Sequence, residues 1–168
     1  WGAYCQGHKT GGQWSMIEKE DHINILELRA AKFAIMTFTK LFTQVKTIHL
    51  QMDTMVALSY LVKMGGTHTK TLSDLSKEIW TYLLPKGSTM TVEYLPGILN
   101  KEADFQSRSV SDSSEWKLDP IICQGICRVR GTPDMDLFAS RFTHQVPAYR
   151  SWKLDPFSKG RDAFQVTW

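Results

Sequence analysis

Three acidic residues, Glu27, Asp53 and Asp104, lie on separate predicted elements from which their side chains could converge on one point. Carboxylates repel one another at close range, so such a cluster keeps its charge only with a cation between its members. Oxygen ligands select hard ions, and the expected metal is Mg²⁺ or Mn²⁺. Two such ions about 3.5–4 Å apart would activate a water and stabilise the leaving oxygen of a phosphodiester. The three residues are therefore candidate metal ligands and catalytic residues.

Each of these carboxylates also has an ordinary interpretation. Glu27 falls on the apolar side of its predicted helix, opposite Arg29 and Lys32, where a buried salt bridge or a rim position near the helix start would explain it. Asp53 precedes a predicted helix and would serve as its N-cap. Asp104 lies in a first helical turn, where the helix dipole favours an anion. Only the combination of the three indicates a metal site.

The elements that would position these side chains follow from hydrophobic periodicity. Residues 1–6 and 12–16 predict two strands, with a turn over 8–12 between them. Residues 23–42 predict a long helix that carries Glu27. The alternating segment 46–53 predicts a half-buried strand that ends at Asp53.

The next elements follow in the same way. Residues 54–64 predict a helix that the glycine pair 65–66 ends. Thr71 and Asp74 resemble a capping box, with a helix to about residue 84. Residues 89–95 predict another strand, and Asn100 is a good N-cap for a helix through residue 108. This order predicts an α/β domain with a partly antiparallel sheet.

Longer motifs surround the three carboxylates. HINILELRAAKFAI contains Glu27, QMDTMVAL contains Asp53, and VEYLPGILNKEADFQSR contains Asp104 within the pattern N-x-x-A-D-x-x-S-R. In order and spacing they resemble the catalytic segments of ribonuclease H, and WGAYCQG with GGQWS resembles its second and third strands. The HIN-x-LEL form and the MGG after the second helix resemble the DIRS-type retrotransposon reverse transcriptases.

This resemblance covers roughly residues 1–108 and implies a ribonuclease H-like mixed sheet flanked by helices. It implies that Glu27, Asp53 and Asp104 bind Mg²⁺ (or Mn²⁺) in a four-carboxylate site, and that Asn24 and Thr54 contact nucleic acid. The implied reaction is hydrolysis of the RNA strand of an RNA–DNA hybrid, recognised through its backbone and 2′-hydroxyls. The implied partners are the hybrid and the remainder of the reverse transcriptase polyprotein.

Two departures from the family pattern bear on activity. The family's first strand, with the first catalytic Asp in a D-A-S or D-G-S motif, would precede WGA and is absent from this sequence. That strand is central in the family, between those represented here by WGAYCQ and IHLQMD. We therefore expect this chain by itself to be inactive, and to fold poorly unless another strand fills the slot. The loop 96–100 also lacks the mobile His of cellular relatives. The alternative function is a non-catalytic nucleic-acid-binding or structural remnant of a decayed element.

The segment 109–168 is expected to be a linker, rich in Ser over 107–114, followed by a small α/β-type extension. DLFASRF and RSWKLDP resemble the front part of a phage-type DNA adenine methyltransferase, in which Asp136, Ala139 and Ser140 would match a D-x-x-A-S motif near the S-adenosylmethionine site. The alternative is that the large apolar residues of this segment, Leu137, Phe138, Phe142, Trp152 and Trp168, form a core. WKLDP occurs twice, which we attribute to coincidence or local turn chemistry.

Composition sets broad limits on function. The formal net charge of +3 permits nucleic-acid binding without arguing for it. No run of eighteen apolar residues occurs, so no membrane span is expected. Three cysteines indicate a reducing, intracellular compartment, cytoplasm or nucleus. Cys123 and Cys127 are expected to be core residues, because a zinc site would need two further ligands and only His144 lies nearby.

Overall fold

The computed structural model describes residues 1–42, 44–108, 115–160 and 162–165. Contacts divide the chain into two units, Trp1–Val110 and Ser111–Trp168. Both units combine helices with short strands, so the chain is a mixed α/β protein. In the described ranges, no helix has the length and apolarity that crossing a membrane requires.

The secondary structure of the first unit alternates strands and helices. Its elements are β1 (Gly2–Cys5), β2 (His8–Gly11), α1 (Ile23–Leu41), β3 (Thr47–Met52), α2 (Met55–Val62), α3 (Lys70–Leu83), β4 (Thr89–Tyr94) and α4 (Lys101–Arg108). The second unit contains α5 (Pro120–Arg130), β5 (Asp136–Leu137) and β6 (Tyr149–Arg150). Short 3-10 turns lie at Glu18–Glu20, Leu84–Lys86 and Ala163–Gln165.

The first hairpin reverses earlier than the sequence predicts. Gln6 and Gly7, at φ 47° and 82°, form a two-residue turn between β1 and β2. Positive φ at both central residues matches the right-handed twist of the flanking strands. The expected turn over 8–12 and the expected strand over 12–16 are therefore wrong, and His8–Gly11 is the second strand.

The long helix and the two following helices pack together through their apolar faces. Leu28, Ala31 and Ile35 of α1 recur at helical spacing and are buried against α2 and α3. The buried cluster consists of Leu28, Ala31, Ile35, Met52, Ala57, Tyr60, Leu61, Leu72, Leu75, Ile79, Leu83 and Met90. This core fixes the start of α1 and the end of β3, the two places where Glu27 and Asp53 lie.

Helix boundaries agree with the predictions except at one cap. The helix α2 ends at Val62, and Met64 and Gly65 follow with positive φ, as the expected stop requires. The helix α3 begins at Lys70 after Thr69, whose side chain makes no capping hydrogen bond. The expected capping box is therefore wrong, since Asp74 instead accepts from Lys70 Nζ at 2.6 Å.

The strands form separate two-stranded sheets, whereas the expectation is a mixed sheet that lacks its first, central strand. The strands β1 and β2 are antiparallel, and β3 and β4 are parallel with Thr47 opposite Thr89 and Met52 opposite Tyr94. No ladder joins these two pairs in the described part of the chain. A cleft lies between them instead.

The second unit depends on turn chemistry more than on an apolar core. In both WKLDP segments the Asp carboxylate accepts from backbone amides two and three residues along, Asp119 at the start of α5 and Asp155 before Phe157. Local turn chemistry thus explains the recurrence. The expected core is wrong for Leu137, Phe138, Phe142 and Trp152, which are 41–50% exposed, while Trp168 lies outside the described residues. The buried residues are Ala139, Ser140, Val146, Tyr149, Ser151, Pro156, Ser158 and Ala163.

Candidate functional site

Glu27 lies on α1 and lines the cleft between β1 and β3. Burial raises the pKa of the Glu27 carboxyl, the negative charge of Asp53 raises it further, and the Trp1 amino group opposes both. Among the described residues no ion pair to Glu27 is present, and the nearby Arg29 instead pairs with Glu18 and Asp21. A buried salt bridge therefore does not account for Glu27.

Asp53 follows β3 and approaches the loop between β4 and α4. A Cβ placed on Gly97 of that loop would lie 3.5 Å from Asp53 Oδ2. The N-cap position of α2 is occupied by Thr54, so Asp53 is not the helix cap of the ordinary interpretation. Asp53 lines the same cleft as Glu27, and its charge contributes to the raised pKa of that carboxyl.

Asn24 and Thr54 contact each other beside Glu27 and Asp53, which are called the acidic pair below. Thr54 Oγ1 donates to Asn24 Oδ1 at 3.4 Å, which joins the first turn of α1 to the start of α2. His22 Nδ1 accepts from the Asn24 amide at 3.2 Å and caps α1. Four candidate site residues, Asn24, Glu27, Asp53 and Thr54, therefore lie where β3 ends and α1 and α2 begin.

Asp104 differs from Glu27 and Asp53 because it forms a salt bridge within its own helix. Its Oδ1 accepts from Arg108 Nε at 2.9 Å one turn along α4, and both side chains are exposed. The start of α4, residues 100–103, lines the same cleft as Glu27 and Asp53. Exposed ion pairs of this spacing contribute only about 0.3–0.5 kcal/mol, so Arg108 is a weak competitor for the Asp104 carboxylate. In the part of the chain that the structure describes, no hydrogen bond or ion pair links Asp104 to Glu27 or Asp53, and its role as a third ligand stays a prediction.

Glu27 and Asp53 could provide two of the ligands that a metal ion needs. In the described ranges, no three His, Cys, Asp or Glu side chains are grouped so that they could hold a metal ion. Two carboxylates are nevertheless sufficient for Mg²⁺ as proteins usually bind it, with waters and substrate phosphates completing the shell. The mutual repulsion of Glu27 and Asp53 is the electrostatic condition that a cation between them would relieve.

Several cleft residues were not predicted from the sequence. Asn100, Lys101 and Glu102 line the cleft, and Glu102 pairs with Lys9 of β2 at 2.7 Å. The edges of β1 and β3 line it as well. The motif around Asn100 indicates a helix cap. Residue types and spacing do not show that the edges of β1 and β3 line a cleft.

The residues of the second unit that match the D-x-x-A-S motif form local hydrogen bonds. Asp136 Oδ2 accepts from the Gln145 amide at 2.8 Å, and Ser140 Oγ donates to Glu115 at 2.8 Å. Cys123 and Cys127 are half-buried on α5, which has no buried residue, so the expectation of core cysteines is not met. A role in binding S-adenosylmethionine stays a prediction.

Comparison with known proteins returned no relative. No protein family, no curated protein and no solved structure matches the chain.

Proposed function

We propose that Trp1–Val110 is a ribonuclease H module of a retrotransposon reverse transcriptase, which hydrolyses the RNA strand of RNA–DNA hybrids. The observation that supports the proposal is that Glu27 and Asp53 line the same cleft, where the charge of Asp53 contributes to the raised pKa of Glu27. Two carboxylates so placed, beside the polar pair Asn24 and Thr54, form a site for a divalent cation next to a surface suited to nucleic acid.

Each side chain of the proposed site has a separate role. Glu27 and Asp53 would hold Mg²⁺ or Mn²⁺, and Asp104, which is exposed and paired with Arg108, would be a third ligand. A bound divalent ion supplies an activated water and offsets the charge that develops on the phosphodiester. Asn24 and Thr54 position the hybrid by hydrogen bonds to its sugars and phosphates, with the 2′-hydroxyl distinguishing RNA from DNA.

The proposed activity depends on ligands beyond the acidic pair. Since no group of three candidate ligands occurs within the described ranges, we expect the 168-residue chain alone to cut hybrids poorly. A strand with a D-A-S sequence, fused ahead of Trp1, would supply the further carboxylate that the family resemblance implies. The complete site would belong to a polyprotein that also contains the polymerase.

The deciding experiment is cleavage of a labelled RNA–DNA hybrid by that fused chain in Mg²⁺. We expect cutting of the RNA strand, no cutting of duplex DNA, and loss of cutting in Glu27→Gln. Glu20→Gln, an exposed carboxyl on a 3-10 turn outside the cleft, is the matched control and should leave cleavage unchanged. A fused chain that folds and does not cut, or a Glu27→Gln variant that still cuts, contradicts the proposal.

The same experiment separates the second candidate, a non-catalytic nucleic-acid-binding remnant. The observation that favours it is the salt bridge of Asp104 to Arg108, which leaves two carboxylates at the acidic pair. Saturable hybrid binding that is weakened by Asn24→Ala and Thr54→Ala, together with no cleavage in the fused chain, would establish this alternative.

A further inference from the structure

The helix α5 of the second unit presents an apolar stripe to the solvent. Ile122, Ile126 and Val129 recur at helical spacing, so they lie along one side of the helix. Their side chains are 56%, 51% and 80% exposed. At 100° per residue, the half-buried Cys123 and Cys127 lie on a different side of α5. Exposed apolar side chains grouped in this way mark an interaction surface.

Two charged side chains flank the stripe on the same side and at opposite ends of α5. Asp119 is the N-cap, Arg130 is the last helical residue, and both are exposed. The two positions differ by about 20° around the helix axis and by about 16 Å along it. Asp119 caps the helix through Oδ1, and in the described part of the chain neither Asp119 nor Arg130 forms a salt bridge.

We propose that α5 pairs with α5 of a second copy of the chain, in antiparallel orientation about a two-fold axis. Such an axis brings the same flank of both helices together and places the start of one helix beside the end of the other. Asp119 of each copy therefore meets Arg130 of the other copy. Ile122 of each copy meets Val129 of the other in the same way, with Ile126 near the middle.

The order of the charges favours a second copy over other occupants of the stripe. An anionic membrane or a nucleic acid presents one sign of charge, so it would attract Arg130 and repel Asp119. A parallel helix pair would place like charges together at both ends. A surface with the two signs in reverse order matches both ends, and an antiparallel α5 is itself such a surface.

The size of the helix limits the strength of this pairing. The helix α5 has 11 residues and a length of about 16 Å. Two such helices bury much less than the roughly 1,600 Å² of a standard protein interface, and exposed ion pairs add little. We therefore expect the chain to be monomeric in dilute solution and to dimerise with a dissociation constant on the order of 100 μM.

The test is sedimentation equilibrium of the 168-residue chain from about 10 μM to about 1 mM. A reductant is present, so that the free cysteines do not join chains. We expect a monomer–dimer equilibrium. Ile126→Glu places a charge in the middle of the stripe and should weaken association about tenfold or more. Because Ile126 is half-exposed, this variant should keep the unfolding midpoint of the wild type.

Two arginine variants form a matched pair. Arg130→Glu places a carboxylate opposite Asp119 of the other copy and should weaken association about three- to tenfold. Arg128 is also exposed but lies about 160° from Arg130 around the axis, so Arg128→Glu should change association less than about twofold.

Chemical cross-linking tests the antiparallel orientation. A carbodiimide joins a carboxylate directly to a lysine amine. In the Arg130→Lys variant it should therefore link Asp119 of one chain to position 130 of another. The same two positions within one helix are too far apart for this link, at about 16 Å. Absence of the cross-link in a dimer would contradict the antiparallel arrangement.

Further results would overturn the inference. They are a chain that stays monomeric at about 1 mM, association that Ile126→Glu leaves intact, and equal weakening by both arginine-to-glutamate variants. Binding of a monomer to vesicles that contain phosphatidylserine, lost in Ile126→Glu, would assign the stripe to a lipid surface. The outcome is independent of the nuclease proposal, since none of these variants changes Glu27 or Asp53.

Discussion

The two units of the chain are stabilised in different ways. In the first unit, side chains of α1, α2, α3 and both parallel strands form one buried cluster. In the second unit, α5 has no buried residue, and Asp119 and Asp155 hold its turns by accepting backbone hydrogen bonds. Apolar periodicity therefore directs packing in the first unit, whereas short-range polar contacts stabilise the turns of the second unit.

Truncation of a core leucine should show this difference most strongly. Leu61 is fully buried in the first unit, so Leu61→Ala should lower the free energy of unfolding by about 2–5 kcal/mol. Ile121 on α5 is 79% exposed, and Ile121→Ala should change it by no more than about 0.5 kcal/mol. Urea unfolding followed by far-ultraviolet circular dichroism measures both, and equal effects would remove the contrast.

Replacement of two glycines by alanine should change stability in opposite directions. A Cβ on Gly2 would meet backbone atoms of Ala103 and Ser107 in α4, so Gly2→Ala should destabilise the first unit by about 1–3 kcal/mol. Gly125 lies inside α5 with open space around it, so Gly125→Ala should stabilise that helix by about 0.5–1 kcal/mol. Residue-specific hydrogen exchange resolves the two, and destabilisation by Gly125→Ala would show that α5 has a close neighbour.

Removal of an Asp cap tests the polar contacts of the second unit. Asp119 Oδ1 accepts from the amides of Ile121 and Ile122 at 2.8 and 3.2 Å, so Asp119→Ala should destabilise α5 by about 0.5–2 kcal/mol. Faster exchange of those two amides is the expected readout. Asp119→Asn keeps an acceptor and should retain most of the protection. Unchanged exchange in the Ala variant would mean that the cap contributes nothing.

The smallest expected effect is a pH dependence at the acidic pair. Burial and the charge of Asp53 raise the pKa of Glu27, so the folded chain binds this proton more tightly than the unfolded chain does. The resulting stabilisation is complete below the pKa of Glu27 in the unfolded chain, about 4.3. It is lost as pH rises through the pKa of Glu27 in the folded chain. In EDTA, wild-type stability should therefore fall relative to Glu27→Gln between about pH 4 and neutrality. A constant difference across that range would mean that Glu27 is not perturbed.

Sequence patterns predicted the helices and parallel strands of the first unit because those elements bury one periodic face. The long helix around Leu28 and the alternating strand that ends at Met52 lie within a few residues of their predicted positions. The predicted hairpin is displaced because the glycine pair Gly11 and Gly12 favours a turn by residue type. The reversal uses Gln6 and Gly7, and Gln6 is not a residue type that favours positive φ.

The candidate site was predictable only in part, for a similar reason. The positions of Glu27 and Asp53 followed from a carboxylate on an apolar face and another at a strand end, and their meeting depends on how the core packs. The four-residue spacing of Asp104 and Arg108 allows their salt bridge, but it does not show whether Asp104 binds Arg108 or joins Glu27 and Asp53. The cleft lies between β1 and β3, which belong to separate strand pairs, and residue spacing within either strand does not show this.

The most direct test of the acidic pair is paramagnetic broadening of amide resonances by substoichiometric Mn²⁺. We expect selective broadening around Glu27 and Asp53 and strong reduction of the effect in Glu27→Gln. Broadening centred on Glu18 and Asp21, the partners of Arg29, with none at Glu27 and Asp53, would contradict the account.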